Sequence, residues 1–216
     1  MNIGLMGGTF NPIHLAHLRI AEEARDLCGL DLVLLIPAAD PPHKPLAGEV
    51  SFARRCEMVR LAIAGNPVFE LSEVEGEREG KSYSIDTLGY FHSQRPDDRL
   101  FFIIGSDSFF EIGLWHRYAE IFRLCSLIVV ERPGRPVVDP LEALPVAIRG
   151  EFSYTDAPDR LQHASGQQVY ILKGRPLDIS STEIRGLAAA GSSITRFVPP
   201  AVEAYIKSQR IYNECQ

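Results

Sequence analysis

The stretch GGTFNPIHLAHL, residues 7–18, decides how the rest of the chain is interpreted. It follows a short apolar run, NIGLM (2–6), and leads into apolar residues that recur at helical spacing from Leu15 to Cys28. The stretch therefore lies at the carboxyl end of a predicted first strand, where open α/β sheets bind ligands. Its two glycines allow the backbone to approach a phosphate group closely.

Further apolar runs predict the remaining strands of a sheet. They are continuous rather than alternating, which is typical of parallel strands that are covered on both faces. The predicted strands are 30–38, 68–72, 99–105, 125–131 and 168–172. Helical spacing returns between them, for example after a predicted N-cap at Ser51. The order predicts an α/β fold, a Rossmann-like doubly wound parallel sheet with right-handed crossovers.

The last part of the chain has a different pattern. Residues 132–145 are rich in proline and glycine, which predicts an exposed loop with a weak helix inside it. After residue 178 the pattern is purely helical, and residues 199–212 predict a helix that starts at prolines. We therefore expect a core domain at 1–178 and a small helical C-terminal region at 179–216.

Composition limits the partners. The 216-residue chain has a formal net charge of −6, which argues against general binding to nucleic acid or to a membrane surface. An anionic ligand must therefore be met by local groups. The four cysteines, at positions 28, 56, 125 and 215, are widely scattered and suggest neither a disulfide framework nor a zinc site. The N-terminus lacks the pattern of a signal peptide, so we expect a cytoplasmic protein.

Two histidines give the loop its chemistry. His14 and His17 are three residues apart, so a helical first turn projects both imidazoles toward the glycines, where they could donate hydrogen bonds to phosphate oxygens. Neither the G-x-G-x-x-G nor the Walker P-loop pattern occurs, so the phosphate site is of another kind. A surface turn, or half of a metal site with His43 as third ligand, is the competing interpretation.

Two distant segments resemble the paired motifs of the nucleotidyltransferase superfamily: residues 7–18, called the histidine loop below, and ISSTEIR at residues 179–185. The region between them resembles the bacterial nicotinate-nucleotide adenylyltransferases of that superfamily. The segments that carry this resemblance are PAADPPHK (37–44), SYSIDTL (82–88), GSDSF (105–109), ERPG (131–134) and Trp115. Two departures stand in the loop: Ala16 replaces a usual glycine, where its methyl could crowd phosphates, and Asn11 replaces a common aspartate.

The resemblance implies a reaction and a set of site residues. A phosphate oxygen of nicotinate mononucleotide attacks the α-phosphorus of ATP, pyrophosphate leaves, and nicotinate adenine dinucleotide forms. The implied catalytic positions are His17, His14, Lys44 and Arg185. The implied ATP-binding positions are Gly7, Gly8, Thr9, Phe10, Gly105, Asp107, Arg132, Ile179, Ser181 and Thr182. The implied mononucleotide-binding positions are Ser82, Tyr83, Ser84 and Trp115.

Several of these residues also have a purely structural interpretation. Ser180 to Glu183 fits a helix capping box. Asp107 could cap the helix after its strand. Trp115 could fill the core, and Lys44 could be an ordinary solvated lysine.

No motif of a covalent catalyst is present, so the mechanism reduces to alignment and charge stabilisation. No protein metal site is expected, because Mg²⁺ commonly binds substrate phosphates and water and would arrive with ATP. Phosphopantetheine adenylyltransferases and cytidylyltransferases are the nearest alternatives within the superfamily. A nicotinamide-dependent oxidoreductase would need the missing glycine fingerprint, while a non-catalytic nucleotide sensor would use the same binding groups. The oligomeric state stays open, with a homo-oligomer among the alternatives.

Overall fold

The computed structural model describes residues 1–42, 50–174 and 177–212. The strands in these residues are β1 (Asn2–Gly8), β2 (Leu32–Pro37), β3 (Phe69–Leu71), β4 (Arg99–Gly105), β5 (Ser126–Val130), β6 (Phe152–Tyr154), β7 (Arg160–His163) and β8 (Gln168–Leu172). The α-helices are α1 (Leu15–Cys28), α2 (Phe52–Ile63), α3 (Ser84–Gln94), α4 (Ser106–Phe110), α5 (Tyr118–Leu124), α6 (Pro140–Ala143), α7 (Ser181–Ala189) and α8 (Pro200–Ser208). Short 3₁₀ helices span Ile112–Leu114 and Val146–Glu151.

Within the described residues the strands form one sheet in the order β3-β2-β1-β4-β5-β8-β7-β6. The pairs β1 with β4, β4 with β5, and β5 with β8 are parallel. Every residue of β2 and of β5 is buried, which explains why their sequences are continuous apolar runs. The predicted Rossmann-like α/β fold is confirmed, with a sheet that is mostly parallel.

The antiparallel end of the sheet was not predicted. β6 pairs with β7, and β7 with β8, in antiparallel directions. β6 and β7 have three and four residues, and each buries only some of them. Such short strands lack the continuous apolar run by which the other strands were predicted.

The predicted helices are confirmed, with one change of length. α1 has the expected bounds, and the Ser51 hydroxyl caps α2 by accepting a hydrogen bond from Arg54 N at 3.3 Å. The predicted helix at 199–212 begins at Pro200 but ends at Ser208, after which the chain turns and Ile211 N donates to Ile206 O. α3, α4 and α5 were not predicted.

The chain divides into two compact units. Unit 1 comprises Met1–Met6, Ile20–Val33 and Tyr83–Pro176, and unit 2 comprises Gly7–Arg19, Leu34–Ser82 and Leu177–Gln216. Unit 1 holds β4 to β8 with α3 to α6. In unit 2, α2 packs against α8, and both helices carry buried apolar side chains, among them Val59 and Val202.

The predicted boundary at residue 178 stays a prediction. Residues 181–208 do consist largely of two helices, α7 and α8. Among the described residues, no helix combines the length and apolar character needed to cross a membrane.

Candidate functional site

The histidine loop belongs to unit 2 and connects β1 to α1. Ala38 N donates to Gly8 O at 2.8 Å, which holds the end of β1 against the residue after β2. The Asn11–Pro12 peptide bond is cis. Leu15 N, at the start of α1, donates to Phe197 O at 2.8 Å. The loop is therefore held at Gly8, before the histidines, and at Leu15, between them.

The two imidazoles meet at the first turn of α1. Their centroids lie 3.7 Å apart with an interplanar angle of 20°, so the rings are stacked. The backbone N–H of His14 donates to His17 Nδ1 at 3.3 Å. Because that N–H can only donate, Nδ1 is the acceptor, and the neutral His17 ring carries its proton on Nε2. His17 is half-buried, and in this tautomer Nε2 is the ring nitrogen that donates.

Phe10 supports His17 from the side. Its ring is 1 % exposed and meets the His17 ring edge-on, with centroids 5.1 Å apart and planes at 80°. The Phe10 backbone has φ +46°, a left-handed conformation that is uncommon for a bulky residue and costs of order 1–3 kcal/mol. A Cβ at Gly8 would lie 3.1 Å from the Phe10 ring, so glycine leaves room for this ring.

The ISSTEIR segment reaches the same loop. Ser180 is the N-cap of α7 and accepts a hydrogen bond from Glu183 N at 3.1 Å, which confirms the serine half of the predicted capping box. Ser181 Oγ donates to Pro12 O at 3.1 Å, and Arg185 Nη1 donates to Asn11 O at 2.8 Å. The two motifs are about 170 residues apart in the chain, yet they are in direct contact.

Thr182 and Ile179, in the same segment, make local hydrogen bonds. Arg185 Nη2 donates to Thr182 Oγ1 at 3.1 Å, which fixes the guanidinium against the first turn of α7. Ile179 is half-buried, and its N–H donates to Leu177 O at 2.9 Å. The binding of ATP by these residues stays a prediction.

Two residues that sequence reasoning missed hold the loop from other directions. Arg55, on α2, is fully buried and donates from Nη1 to Thr9 O at 2.8 Å. Tyr212 donates from its hydroxyl to Asn11 Oδ1 at 2.6 Å. The signal for Arg55 was a charged residue on the apolar face that Met58 and Val59 mark on α2. Tyr212 carried no signal, because its position beyond α8 depends on the turn there.

Burial governs the ionisation of both residues. Burial lowers the pKa of the Arg55 guanidinium from its ordinary value, while nearby Tyr212 and Glu75 oppose that change. Burial raises the pKa of the Tyr212 phenol, and the positive charges of Arg185 and Arg55 oppose this rise. Both groups act as hydrogen-bond donors, Arg55 to Thr9 O and Tyr212 to Asn11 Oδ1.

A second group of predicted residues belongs to unit 1, at the carboxyl ends of β4 and β5. Arg132 Nε lies 3.2 Å from Asp107 Oδ1, and Arg132 N donates to Ser106 Oγ at 3.1 Å. A Cβ on Gly105 would lie 2.4 Å from Asp107 Oδ1 and 2.7 Å from Arg132 Nε, so the ion pair occupies the space that glycine leaves. The alternative that Asp107 caps α4 is wrong. The N-cap position is Gly105, and Asp107 lies inside the first turn of the helix.

Among the predicted mononucleotide residues of unit 1, Tyr83 packs against a histidine that was not predicted, His116. The rings of Tyr83 and His116 are 4.5 Å apart. Trp115, next to His116, is half-buried and packs edge-on against Phe102, with the ring centroids 6.1 Å apart. Ser84 is the first residue of α3, directly after Tyr83 at the N-cap. Aromatic surface and the start of a helix are thus close together.

Ser82 lies in unit 2 and has a structural task there. Its hydroxyl accepts hydrogen bonds from Ala39 N at 3.0 Å and Asp40 N at 3.1 Å. The hydroxyl thus holds the chain after β2, and a contact between Ser82 and the mononucleotide stays a prediction.

Lys44 and His43 lie outside the described residues. Ala16 is 6 % exposed, so protein covers most of its methyl group.

A metal centre built from side chains is not found in the ranges that the structure describes, where no three His, Cys, Asp or Glu side chains group suitably. The described cysteines, Cys28, Cys56 and Cys125, are thiols without a disulfide.

Known proteins resemble this chain over nearly its whole length. A family model described as cytidylyltransferase-like matches residues 5–187. A probable nicotinate-nucleotide adenylyltransferase of Pelobacter propionicus is 72% identical over 215 residues, and one of Geotalea uraniireducens is 61% identical over 216; both alignments cover 100% of each chain. The nicotinic acid mononucleotide adenylyltransferase of Plasmodium falciparum, solved with NaAD, superposes with a TM-score of 0.76 at 20% identity, covering 98% of this chain and 97% of that one. At that identity the superposition is evidence for the fold alone.

Proposed function

Because this chain belongs to the cytidylyltransferase-like family and, within it, to the nicotinate-nucleotide adenylyltransferases, we propose which of its residues transfer AMP from ATP to nicotinate mononucleotide. An oxygen of the mononucleotide phosphate attacks the α-phosphorus of ATP, and the bond from that phosphorus to the bridging oxygen of the β-phosphate breaks. The products are nicotinate adenine dinucleotide and pyrophosphate. The phosphate monoester is already ionised at neutral pH, so the protein need not supply a general base.

One observation carries the assignment of the phosphate site. The histidine loop and α7 are joined by the hydrogen bonds from Ser181 to Pro12 and from Arg185 to Asn11. These bonds gather two imidazoles, the start of a helix and a guanidinium in one unit. Such groups donate hydrogen bonds and supply positive charge, which suits a triphosphate whose negative charge moves toward the leaving group during transfer.

His17 is the residue we assign to the α-phosphoryl group. Its neutral tautomer carries the proton on Nε2, because Nδ1 accepts from the His14 backbone. Stacking on His14 and the edge of Phe10 hold the ring in one orientation. A donor that is oriented before substrate binds costs little reorganisation during the reaction, which is the basis of electrostatic catalysis.

The groups of unit 1 supply candidates for recognition of the nucleosides. We assign Asp107 to a ribose hydroxyl and Arg132 to a phosphate, since their ion pair is about half exposed and could open toward a ligand. Trp115 and Tyr83 offer aromatic surface for a pyridine ring. The start of α3 at Ser84 offers backbone N–H groups to the nicotinate carboxylate. The nicotinamide amide would not satisfy those donors equally.

Magnesium enters the proposal as part of the substrate MgATP. The donors around the histidine loop are imidazole, hydroxyl and guanidinium, which suit phosphate rather than a hard cation. Mg²⁺ would neutralise charge on the phosphates and on departing pyrophosphate. The protein's own part is to orient the phosphates, through the donors of the histidine loop and of α7.

The decisive experiment mixes the purified full-length chain with ATP, Mg²⁺ and nicotinate mononucleotide and measures pyrophosphate release and the dinucleotide formed. We expect equal amounts of both products, and no pyrophosphate when the mononucleotide is omitted. Binding without turnover would make the chain a nucleotide sensor, and faster turnover with phosphopantetheine or CTP would move it to another family of the superfamily. The same reaction in EDTA tests the need for the metal.

A cytoplasmic location completes the proposal and is supported by the thiols of Cys28, Cys56 and Cys125, which fit a reducing compartment. The reaction as proposed needs residues of one chain only. A homo-oligomer stays a prediction, which light scattering on the purified protein would test.

A further inference from the structure

We propose that Arg55 is a positioning residue for His17, acting through the carbonyl of Thr9 and the ring of Phe10. This inference rests on the role of His17 proposed above. The first step is the unusual position of the arginine. Arg55 is 0 % exposed, and it stands on the same face of α2 as the apolar residues Met58 and Val59.

A buried guanidinium needs a reason to be there. Removing a charge from water is costly unless hydrogen bonds and opposite charge compensate. Among the described residues, Nε and Nη2 have no hydrogen-bond partner, while Nη1 donates to Thr9 O. Glu75, which is 7 % exposed, contributes opposite charge nearby, and the Phe52 ring lies 5.5 Å from Cζ. Within the part of the chain that the structure describes, the hydrogen bond to Thr9 O is thus the one that the Arg55 guanidinium makes.

That contact acts at a strained point of the backbone. Thr9 O belongs to the peptide group that precedes Phe10, and Phe10 has φ +46°. A bulky residue keeps such a conformation only when its surroundings hold it there. A hydrogen bond of 2.8 Å from a rigid, buried donor fixes the orientation of the Thr9–Phe10 peptide group. The side chain of Phe10 is thereby directed inward.

The Phe10 ring then fixes His17. Its edge packs against the imidazole at a centroid distance of 5.1 Å, on a ring that also stacks on His14. The other loop contacts attach elsewhere: Ser181 holds Pro12 O and Arg185 holds Asn11 O. Arg55 therefore governs the part of the loop that carries Phe10, while α7 governs the part that follows it.

The test compares Arg55→Met and Arg55→Lys in the full chain. Met keeps most of the side-chain length but removes the donor, and Lys keeps one donor for Thr9 O. Arg54→Met is the matched control, because Arg54 is the exposed neighbour on the same helix. We expect kcat of Arg55→Met to fall about 10- to 100-fold, because small misplacements of catalytic groups slow reactions by such factors. We expect the KM values for both substrates to change much less, Arg55→Lys to recover most of kcat, and Arg54→Met to match the wild type.

A spectroscopic readout separates positioning from stability. In protein labelled with carbon-13 at the histidine rings, the His17 signal is identified as the one lost in His17→Ala. Its chemical shift depends on the neighbouring Phe10 and His14 rings, so Arg55→Met should move it toward that of a solvent-exposed histidine. An unchanged His17 signal and kcat in folded Arg55→Met would overturn the proposal.

Phe10→Leu covers the case in which Arg55→Met does not fold. This variant leaves Arg55 and its hydrogen bond to Thr9 O in place but removes the ring edge. It should show the same loss of kcat and the same movement of the His17 signal, and wild-type values would overturn the proposal. A wild-type chain that releases no pyrophosphate would contradict the proposed function instead, and the histidine signals would still decide whether Arg55 positions His17.

Discussion

The imidazole rings of His14 and His17 stack at a centroid distance of 3.7 Å, and the backbone N–H of the first donates to Nδ1 of the second. One residue thus fixes both the plane and the tautomer of the other. This relationship gives the three-residue spacing of the two histidines a physical purpose. It orients a donor at the start of α1 before any ligand is present.

Replacing His17 by alanine should leave the fold intact and remove most of the turnover. Loss of one oriented donor to transition-state charge typically costs about 3–4 kcal/mol, or 10²–10³ in rate. Steady-state kinetics and a thermal melt measure the two effects. His92→Ala is a suitable control, because His92 is exposed on α3. Turnover close to the wild-type value would remove His17 from the mechanism.

Arg185→Ala should raise the KM for ATP more than it lowers kcat, if the guanidinium holds the triphosphate equally in the ground and transition states. The substitution also removes the hydrogen bond to Asn11 O, so Arg185→Lys, which keeps a charge and a donor, should be affected less. Arg196→Ala, an exposed arginine of the same unit, serves as control. A raised KM for the mononucleotide alone would assign Arg185 to the other substrate.

Gly105→Ala should impair ATP binding with little loss of stability. The added Cβ would lie 2.4 Å from Asp107 Oδ1 and would separate it from Arg132. That pair is about half exposed, so its loss should cost about 0–1 kcal/mol of unfolding free energy. If the pair binds the nucleotide, the KM for ATP should rise clearly. Gly89→Ala, where the methyl meets nothing within 4 Å, should instead stabilise α3 slightly and leave KM unchanged.

Selectivity between nicotinate and nicotinamide mononucleotides should depend on hydrogen bonding more than on stacking. Buried donors without an acceptor can discriminate by about 10⁴–10⁵ in kcat/KM, whereas lost stacking is worth about 0.5–1.5 kcal/mol beyond the area that the ring buries. Trp115→Ala should therefore weaken both substrates and keep most of the preference. Ser84→Ala should remove only part of the preference, because backbone N–H groups share the task.

The measurement is kcat/KM for both mononucleotides on the wild type and on each variant. Leu114→Ala, at a neighbouring residue that is 77 % exposed, controls for a general change near Trp115. Equal use of the two substrates by the wild type would contradict the nicotinate assignment. A preference that disappears in Trp115→Ala would mean that the indole sets selectivity.

Stability should decrease in alkaline solution. Burial raises the pKa of the Cys56 thiol from 9.0 to about 11. An unfolded chain loses this proton first, so the contribution to stability is complete below pH 9.0 and is lost as the pH rises through about 11. Urea unfolding between these pH values should show a smaller loss for Cys56→Ala than for the wild type. Parallel curves for the two proteins would show that Cys56 does not titrate in this range.

The elements that sequence reasoning found and those it missed differ in a simple way. β2 and β5 were predicted because burial on both faces makes every residue apolar. β7, with alternating burial over four residues, left no such pattern. α1 was predicted through its repeated apolar positions and α2 through its cap at Ser51, both of which act within a few residues of the chain.

The candidate site divides along the same line. The sequence by itself determined that two imidazoles follow a glycine turn and that a capped helix with an arginine comes near the end of the chain, since these patterns are local. Only the tertiary structure decided that Ser181 and Arg185 contact the loop, and that Arg55 and Tyr212 support it across 46 and 201 residues of sequence. Contacts between residues so far apart arise from the packing of whole elements, and no spacing along the chain records that packing.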